Sequence, residues 1–136
     1  MKPTRKILVV DDDQDNRDST QGVLEQWGFQ VITAASGIEA ISLAKANDDI
    51  AVILLDYRMP GKDGAQTAQE IREFNQTSVI AMYSCDDTQR AAVQSHRAGA
   101  IDFIEKEEDT KYLRAAVEKA CQKYEESFRS RVIAAH

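Results

Sequence analysis

Four short apolar runs in this chain each end in a residue with usable chemistry. Ile7-Leu8-Val9-Val10 leads into Asp11-Asp12-Asp13, and Ala51-Val52-Ile53-Leu54-Leu55 leads into Asp56. Val79-Ile80-Ala81-Met82-Tyr83 leads into Ser84, and Phe103-Ile104-Glu105 into Lys106. Short runs of this kind fit buried strands. If they are parallel strands of one sheet, one edge collects a carboxylate cluster, a lone carboxylate, a hydroxyl and an amine. Ligands of open α/β sheets bind at the carboxyl ends of the strands. These groups suffice to hold a divalent metal and bind a phosphoryl group.

Helical segments separate the runs. Asn16 to Trp27 places Val23, Leu24 and Trp27 on one face, and Gly28 stops that helix. Phe29 to Thr33 reads as a short strand. Ser36-Gly37-Ile38-Glu39 fits a capping box opening a helix that carries Ile38, Ile41, Leu43 and Ala44 and ends near Asn47. A loop with Pro60, Gly61 and Gly64 leads to a helix from Ala65 to Phe74. Asp87 is placed to cap a helix running to Ala98, where Gly99 ends it. A strand at Asp102 to Glu105 precedes a last helix from Thr110 to beyond Tyr124.

Strand and helix thus alternate five times, the pattern of an α/β fold with a doubly wound, parallel five-stranded sheet and helices on both faces. The runs at Ile7 and Ala51 are apolar throughout, as central strands are; the strand at Phe29 is more mixed, which suits an edge. The expected strand order is 2-1-3-4-5, which brings the Asp11 cluster and Asp56 together at the topological switch. Residues 1–136 read as a single domain. From about residue 125 the last helix either simply runs on or begins a helical linker to an output domain, and it offers a surface for a homodimer.

The chain has 136 residues and a net charge of -6. The acidic balance argues against nucleic-acid binding by this domain. Cys85 and Cys121 lack metal-site spacing, and Cys85 reads as a buried thiol. Two thiols without a signal peptide fit a reducing cytoplasm, and no run is long enough to span a membrane.

The chemistry follows from the residue types. Mg²⁺ takes one or two carboxylates plus phosphate oxygens, which Asp11, Asp12 and Asp56 can supply; Asp13 begins the following loop. A metal offsets the repulsion between a carboxylate and an incoming phosphoryl group. Lys106 can place a compact charge on one phosphoryl oxygen, and Ser84 can donate to another.

Together these residues resemble the receiver domains of two-component response regulators, from Lys6 to about Tyr124. Val9-Val10-Asp11-Asp12 is similar to the acidic pair of that family. Leu55-Asp56-Tyr57-Arg58-Met59-Pro60-Gly61-Lys62-Asp63-Gly64 resembles its phospho-acceptor segment and is the most specific match. Ala98-Gly99-Ala100 before Phe103, together with Ser84 and Lys106, completes the resemblance. The fold it implies is flavodoxin-like, (βα)5. Asp56 is implied as acceptor of a phosphoryl group from a histidine kinase or histidine phosphotransfer protein. Asp11, Asp12, Asp56 and the Arg58 carbonyl are implied as ligands of Mg²⁺ or Mn²⁺. Ser84 and Lys106 would bind phosphoryl oxygens, and Ser84 and Phe103 would switch a surface built by the fourth helix, fifth strand and fifth helix. That surface would meet a downstream protein or a linked output domain. Arg58 and Asp86 fall where the family tunes phosphate lifetime, and they are expected to pair.

The resemblance implies a signalling switch that catalyses only its own phosphorylation and dephosphorylation. The sequence departs from the pattern after Lys106, where Glu107 and Glu108 replace the usual proline; a trans Lys106-Glu107 bond is expected. This departure leaves a phosphorylation-independent pseudo-receiver as an alternative. An aspartyl-nucleophile phosphatase is a further one. It needs a second Asp two residues after the nucleophile, where Asp56 has Arg58 and only Asp11 has Asp13.

Overall fold

The computed structural model describes residues 5–85, 89–106 and 110–134. Strands and helices alternate: β1 (Lys6–Val10), α1 (Gln14–Gln26), β2 (Gln30–Ala34), α2 (Gly37–Ala46), β3 (Ile50–Leu55), α3 (Gly64–Phe74), β4 (Val79–Ser84), α4 (Gln89–Arg97), β5 (Ala100–Glu105) and α5 (Lys111–Ala134). All pairings are parallel and the strand order is β2-β1-β3-β4-β5, as expected from the sequence. Every residue of β3 is buried, whereas the edge strand β2 is half-exposed.

Alternation along β1 divides the core. Ile7 and Val9 pack with Leu24 of α1 and Val117, Ala120 and Tyr124 of α5. Leu8 and Val10 pack on the other side with Ala40 and Ala44 of α2 and Ala68 and Ile71 of α3. Side chains of successive strand residues point to opposite faces, so a single apolar run supplies both cores. Each buried large aliphatic contributes roughly 1.5–3 kcal/mol. Central strands with such residues on both faces therefore hold the polar edge rigidly.

Local signals set most boundaries, with instructive differences. Asp13 is the N-cap of α1, its side chain accepting from the Asn16 N–H at 3.0 Å. It therefore ends a two-residue turn, and α1 starts at Gln14 rather than Asn16. Ser36 caps α2, accepting from Glu39 N, while Glu39 Oε2 accepts from Ala35 N at 3.1 Å. Asp63 and Gln66 form a full capping box that starts α3 at Gly64. β5 begins at Ala100 because that residue pairs with Ile80 of β4.

Ile38 does not join the core and is 70% exposed. The close contact of α2 with α3 instead runs through Gly37, where a Cβ would lie 2.3 Å from Thr67 Oγ1. The last helix is 24 residues long, and Tyr124 at its middle is still buried. Among the described residues, no helix is long and apolar enough to cross a membrane. Asp87, expected to cap α4, and the Lys106-Glu107 bond lie outside the described residues.

Candidate functional site

The sheet ladder continues one step past the strand ends and lines up the polar groups. Asp11 N–H donates to Ala34 O at 3.1 Å, and Asp56 N–H donates to Val10 O at 2.9 Å. Lys106 N–H donates to Ser84 O at 2.9 Å. Because Val10 pairs with Leu55, and Leu55 with Met82, the residues after these strands emerge side by side. Asp11, Asp12, Asp56, Ser84 and Lys106 consequently line one cavity of about 480 Å³.

Asp56 is the best-connected member. Ser84 Oγ donates to its Oδ1 at 2.8 Å, and Arg58 N–H reaches the same oxygen at 3.3 Å. Lys106 Nζ donates to Asp56 Oδ2 at 3.4 Å and also to Asp11 Oδ2. Burial raises the Asp56 carboxyl above its ordinary range, against the opposing pull of the Ser84 hydroxyl and the Lys106 ammonium. Burial also pulls the Lys106 ammonium down, but Asp11 and Asp56 outweigh it and leave the net shift upward. The lysine is thus held charged between two carboxylates.

Asp11 is fixed at several points. Its Oδ1 accepts from Asp13 N–H at 3.0 Å, and its backbone carbonyl accepts from Arg17 Nη1 at 2.8 Å. Asp12 stands at the exposed rim. One carboxylate oxygen from each of Asp11, Asp12 and Asp56 lies within 4.8 Å of the others. Two carboxylates about 5 Å apart repel by roughly 3 kcal/mol at an effective dielectric near 20. A set of hard oxygen donors of this charge fits a hard divalent cation such as Mg²⁺.

The loop after β3 folds tightly beside Asp56. Gly64 N–H donates to Tyr57 O at 2.7 Å, folding the loop back on itself. A Cβ on Gly64 would lie 2.5 Å from Asp56 O and 2.8 Å from Tyr57 Cα, so only glycine fits there. Gly61 adopts φ +79°, a left-handed conformation suited to glycine.

Phe103 is half-buried, and its ring centroid lies 6.5 Å from that of Tyr57. It therefore sits between the loop after β3 and the β5–α5 face, which carries an open groove bordered by Tyr112, Ala116 and Lys119. Cys85 differs from expectation: its thiol is exposed and lines the acidic cavity. Chain direction explains this, because Cys85 is the first residue beyond the buried end of β4. Arg58 is exposed at the cavity, whereas Asp86, its expected partner, lies outside the described residues.

Some contributors escape sequence reasoning. Arg17 reaches back to Asp11, and the available hint is a cation near a helix N-terminus, where the dipole disfavours it. Tyr57, next to Asp56 in the chain, donates its hydroxyl hydrogen to Gln94 Oε1 of α4. That contact joins segments 37 residues apart and leaves no trace in the local pattern.

Comparison with known proteins agrees with this geometry. The family model for the response regulator receiver domain matches residues 7–118. Transcriptional regulatory protein ZraR of Salmonella typhimurium strain LT2 is 36% identical over 115 residues, covering 84% of this chain and 26% of that protein. Transcriptional regulatory protein CpxR of Escherichia coli K12 is 38% identical over 101 residues, covering 74% of this chain and 42% of that protein. The chain therefore spans less than half the length of these relatives. Response regulator TrrA from Thermotoga maritima, solved in complex with Mg(2+)-BeF, superposes with a TM-score of 0.78 at 28% identity, covering 88% of this chain and 99% of that chain. A chain described as adenylate cyclase from Rhodopirellula baltica superposes with a TM-score of 0.88 at 27% identity, covering 97% and 98%. The fold, the matched sequence and these relatives establish that the chain belongs to the response regulator receiver domain family.

Proposed function

We propose that the domain is a phospho-acceptor switch in which Asp56 takes a phosphoryl group from a phosphohistidine on a histidine kinase or histidine phosphotransfer protein. The observation that carries this is the environment of Asp56. A buried carboxylate has Ser84 on one oxygen, Lys106 on the other and two more carboxylates within metal-sharing distance.

In the transfer, an Asp56 carboxylate oxygen forms the new bond to phosphorus while the bond to the donor imidazole nitrogen breaks. Such transfer depends on positioning and charge neutralisation. Ser84 and Lys106 are already on the two Asp56 oxygens, so small movements carry them to phosphoryl oxygens. Asp11, Asp12, Asp56 and the Arg58 carbonyl would hold Mg²⁺, or Mn²⁺ in its place. Such an ion would supply positive charge that offsets the repulsion between the Asp56 carboxylate and an incoming phosphoryl group. The solved complex of TrrA with Mg(2+)-BeF supports this reading of the shared site.

Movement of Ser84 toward the phosphoryl group frees space near Phe103. Its inward turn would bias the α4–β5–α5 face, the surface for a downstream partner or linked output domain. Arg58, with Asp86, would tune the lifetime of the phosphoryl group. The work would be done in the cytoplasm, where such kinases present their phosphohistidine, and α5 would support homodimer formation.

Incubation with acetyl phosphate and Mg²⁺, followed by intact-protein mass spectrometry, tests the proposal. One phosphoryl group is expected, lost in Asp56→Asn and on chelation of the metal. No gain, or a gain that survives Asp56→Asn, overturns it.

A further inference from the structure

We propose that Tyr83 is a positioning residue for Lys106, its aromatic ring filling part of a neighbouring cavity and holding the ammonium at the position that also meets Asp11 and Asp56. The proposal rests on the phospho-acceptor reading above and adds a residue that reading leaves without a role.

Tyr83 and Ser84 are consecutive in β4, so their side chains leave the strand on opposite faces. Ser84 turns to Asp56. Tyr83 packs against the core shared with α1 and α5. The backbone bond from Lys106 N–H to Ser84 O fixes the root of the lysine beside both. From that root Nζ lies 5.6 Å from the Tyr83 ring centroid while contacting both carboxylates. An ammonium within about 6 Å of a ring centroid is attracted by the negative face of the ring, more strongly where water is excluded. The Lys106 side chain is 12% exposed, so that condition holds.

Lys106 borders two cavities. One is the acidic cavity with Asp11, Asp12 and Asp56. The other, of about 390 Å³, lies between α1 and α5 and is bordered by Thr20, Val23, Tyr83, Thr110 and Leu113. A lysine has four rotatable bonds and loses considerable freedom when held in one place. Of the two cavities Tyr83 lines the second, where its ring takes up space the lysine would otherwise enter, and the observed ammonium position is within reach of both the ring and the two carboxylates. Without the ring, the second cavity widens and the lysine gains conformations that leave Asp56.

The test pairs a structural readout with a kinetic one. Ring currents from Tyr83 displace the Lys106 ε-CH₂ resonances upfield, measurable by ¹³C–¹H NMR on the wild-type chain and assigned by their loss in Lys106→Gln. Tyr83→Phe is expected to keep the displaced signal, and Tyr83→Leu to return it to the position of exposed lysines. Phosphorylation by acetyl phosphate with Mg²⁺ is expected to fall roughly three- to tenfold in Tyr83→Leu and to stay within about twofold of wild type in Tyr83→Phe. A wild-type Lys106 signal at the exposed-lysine position overturns the proposal and requires no variant at Tyr83 to fold. A folded Tyr83→Leu protein phosphorylated at the wild-type rate overturns it too. If the wild type accepts no phosphoryl group, the function proposed for the site fails, while the NMR result still decides whether Tyr83 positions Lys106.

Discussion

Ser84 Oγ and Asp56 Oδ1 are joined by a hydrogen bond of 2.8 Å, and both residues are buried. The bond ties the end of β4 to the end of β3 at the Asp56 carboxylate. A neutral hydrogen bond of this kind is worth about 1 kcal/mol, and one to a charged group roughly 1.5–3. Ser84→Ala is therefore expected to slow phosphorylation by acetyl phosphate about tenfold. Ser84→Thr, which keeps the hydroxyl, is expected to retain most of the rate. Time-resolved intact-mass measurements check both.

Asp56 and Lys106 give opposite contributions to stability near neutral pH. The folded carboxyl of Asp56 is raised by burial above its unfolded value. Folding therefore favours the protonated form. Its stabilising contribution is present below about pH 4 and is lost as pH rises through the raised folded value. At pH 7 the ionised group burdens the fold. Asp56→Asn is expected to raise the melting temperature at pH 7, with the gain shrinking as pH falls toward 4. Lys106 is pulled down by burial but raised on balance by its carboxylates, so its contribution persists until pH rises through its folded value. Lys106→Gln is expected to lower the melting temperature at pH 7. Thermal melts across pH decide both signs.

Gly64 has no room for a side chain. Its Cβ would press on the backbone of Asp56 and Tyr57, which are not flexible side-chain ends. Gly64→Ala is expected to cost roughly 1–3 kcal/mol in urea unfolding and to displace the loop after β3. Gly22→Ala, in the interior of α1 where nothing lies within 4 Å of the added atom, is expected to stabilise by roughly 0.5–1 kcal/mol and serves as the comparison.

Arg72 joins three carbonyls far from the acidic cavity. Its guanidinium donates to Asn75 O at 3.2 Å, Ser78 O at 2.6 Å and Gly99 O at 3.4 Å. It thereby ties the C-terminal end of α3 to the turn that starts β5. Arg72→Ala is expected to destabilise by about 2–3 kcal/mol, because it leaves these carbonyls without their donor. Arg72→Lys is expected to restore only part, since an ammonium lacks the planar fork. Chemical denaturation of the two variants provides the comparison.

The fold was legible because its signals are local and repeated. Apolar runs of strand length, Gly28 and Gly99 at helix ends, and the Ser36 cap each limit conformation within a few residues. Boundaries shifted where a cap or a pairing partner decided them, as at Asp13 and Ala100. Ile38 lies on α2 as expected yet outside the core, because helical spacing identifies a stripe, while the depth of each position depends on the neighbouring helix. Cys85 misled for a related reason: residue type favours burial, but its place just past a strand end exposes it.

By itself the sequence determined the alternation of strands and helices, the central and edge strands, and which polar residues follow each strand. Period and turn chemistry act over a few residues, so they are written in the chain. Tertiary structure alone decided how those residues meet: Ser84 on one oxygen of Asp56, Lys106 bridging Asp56 and Asp11, Arg17 on the Asp11 carbonyl, and Tyr83 beside the lysine. These contacts depend on sheet register and on rotamers chosen against residues distant in sequence, and no local pattern encodes either.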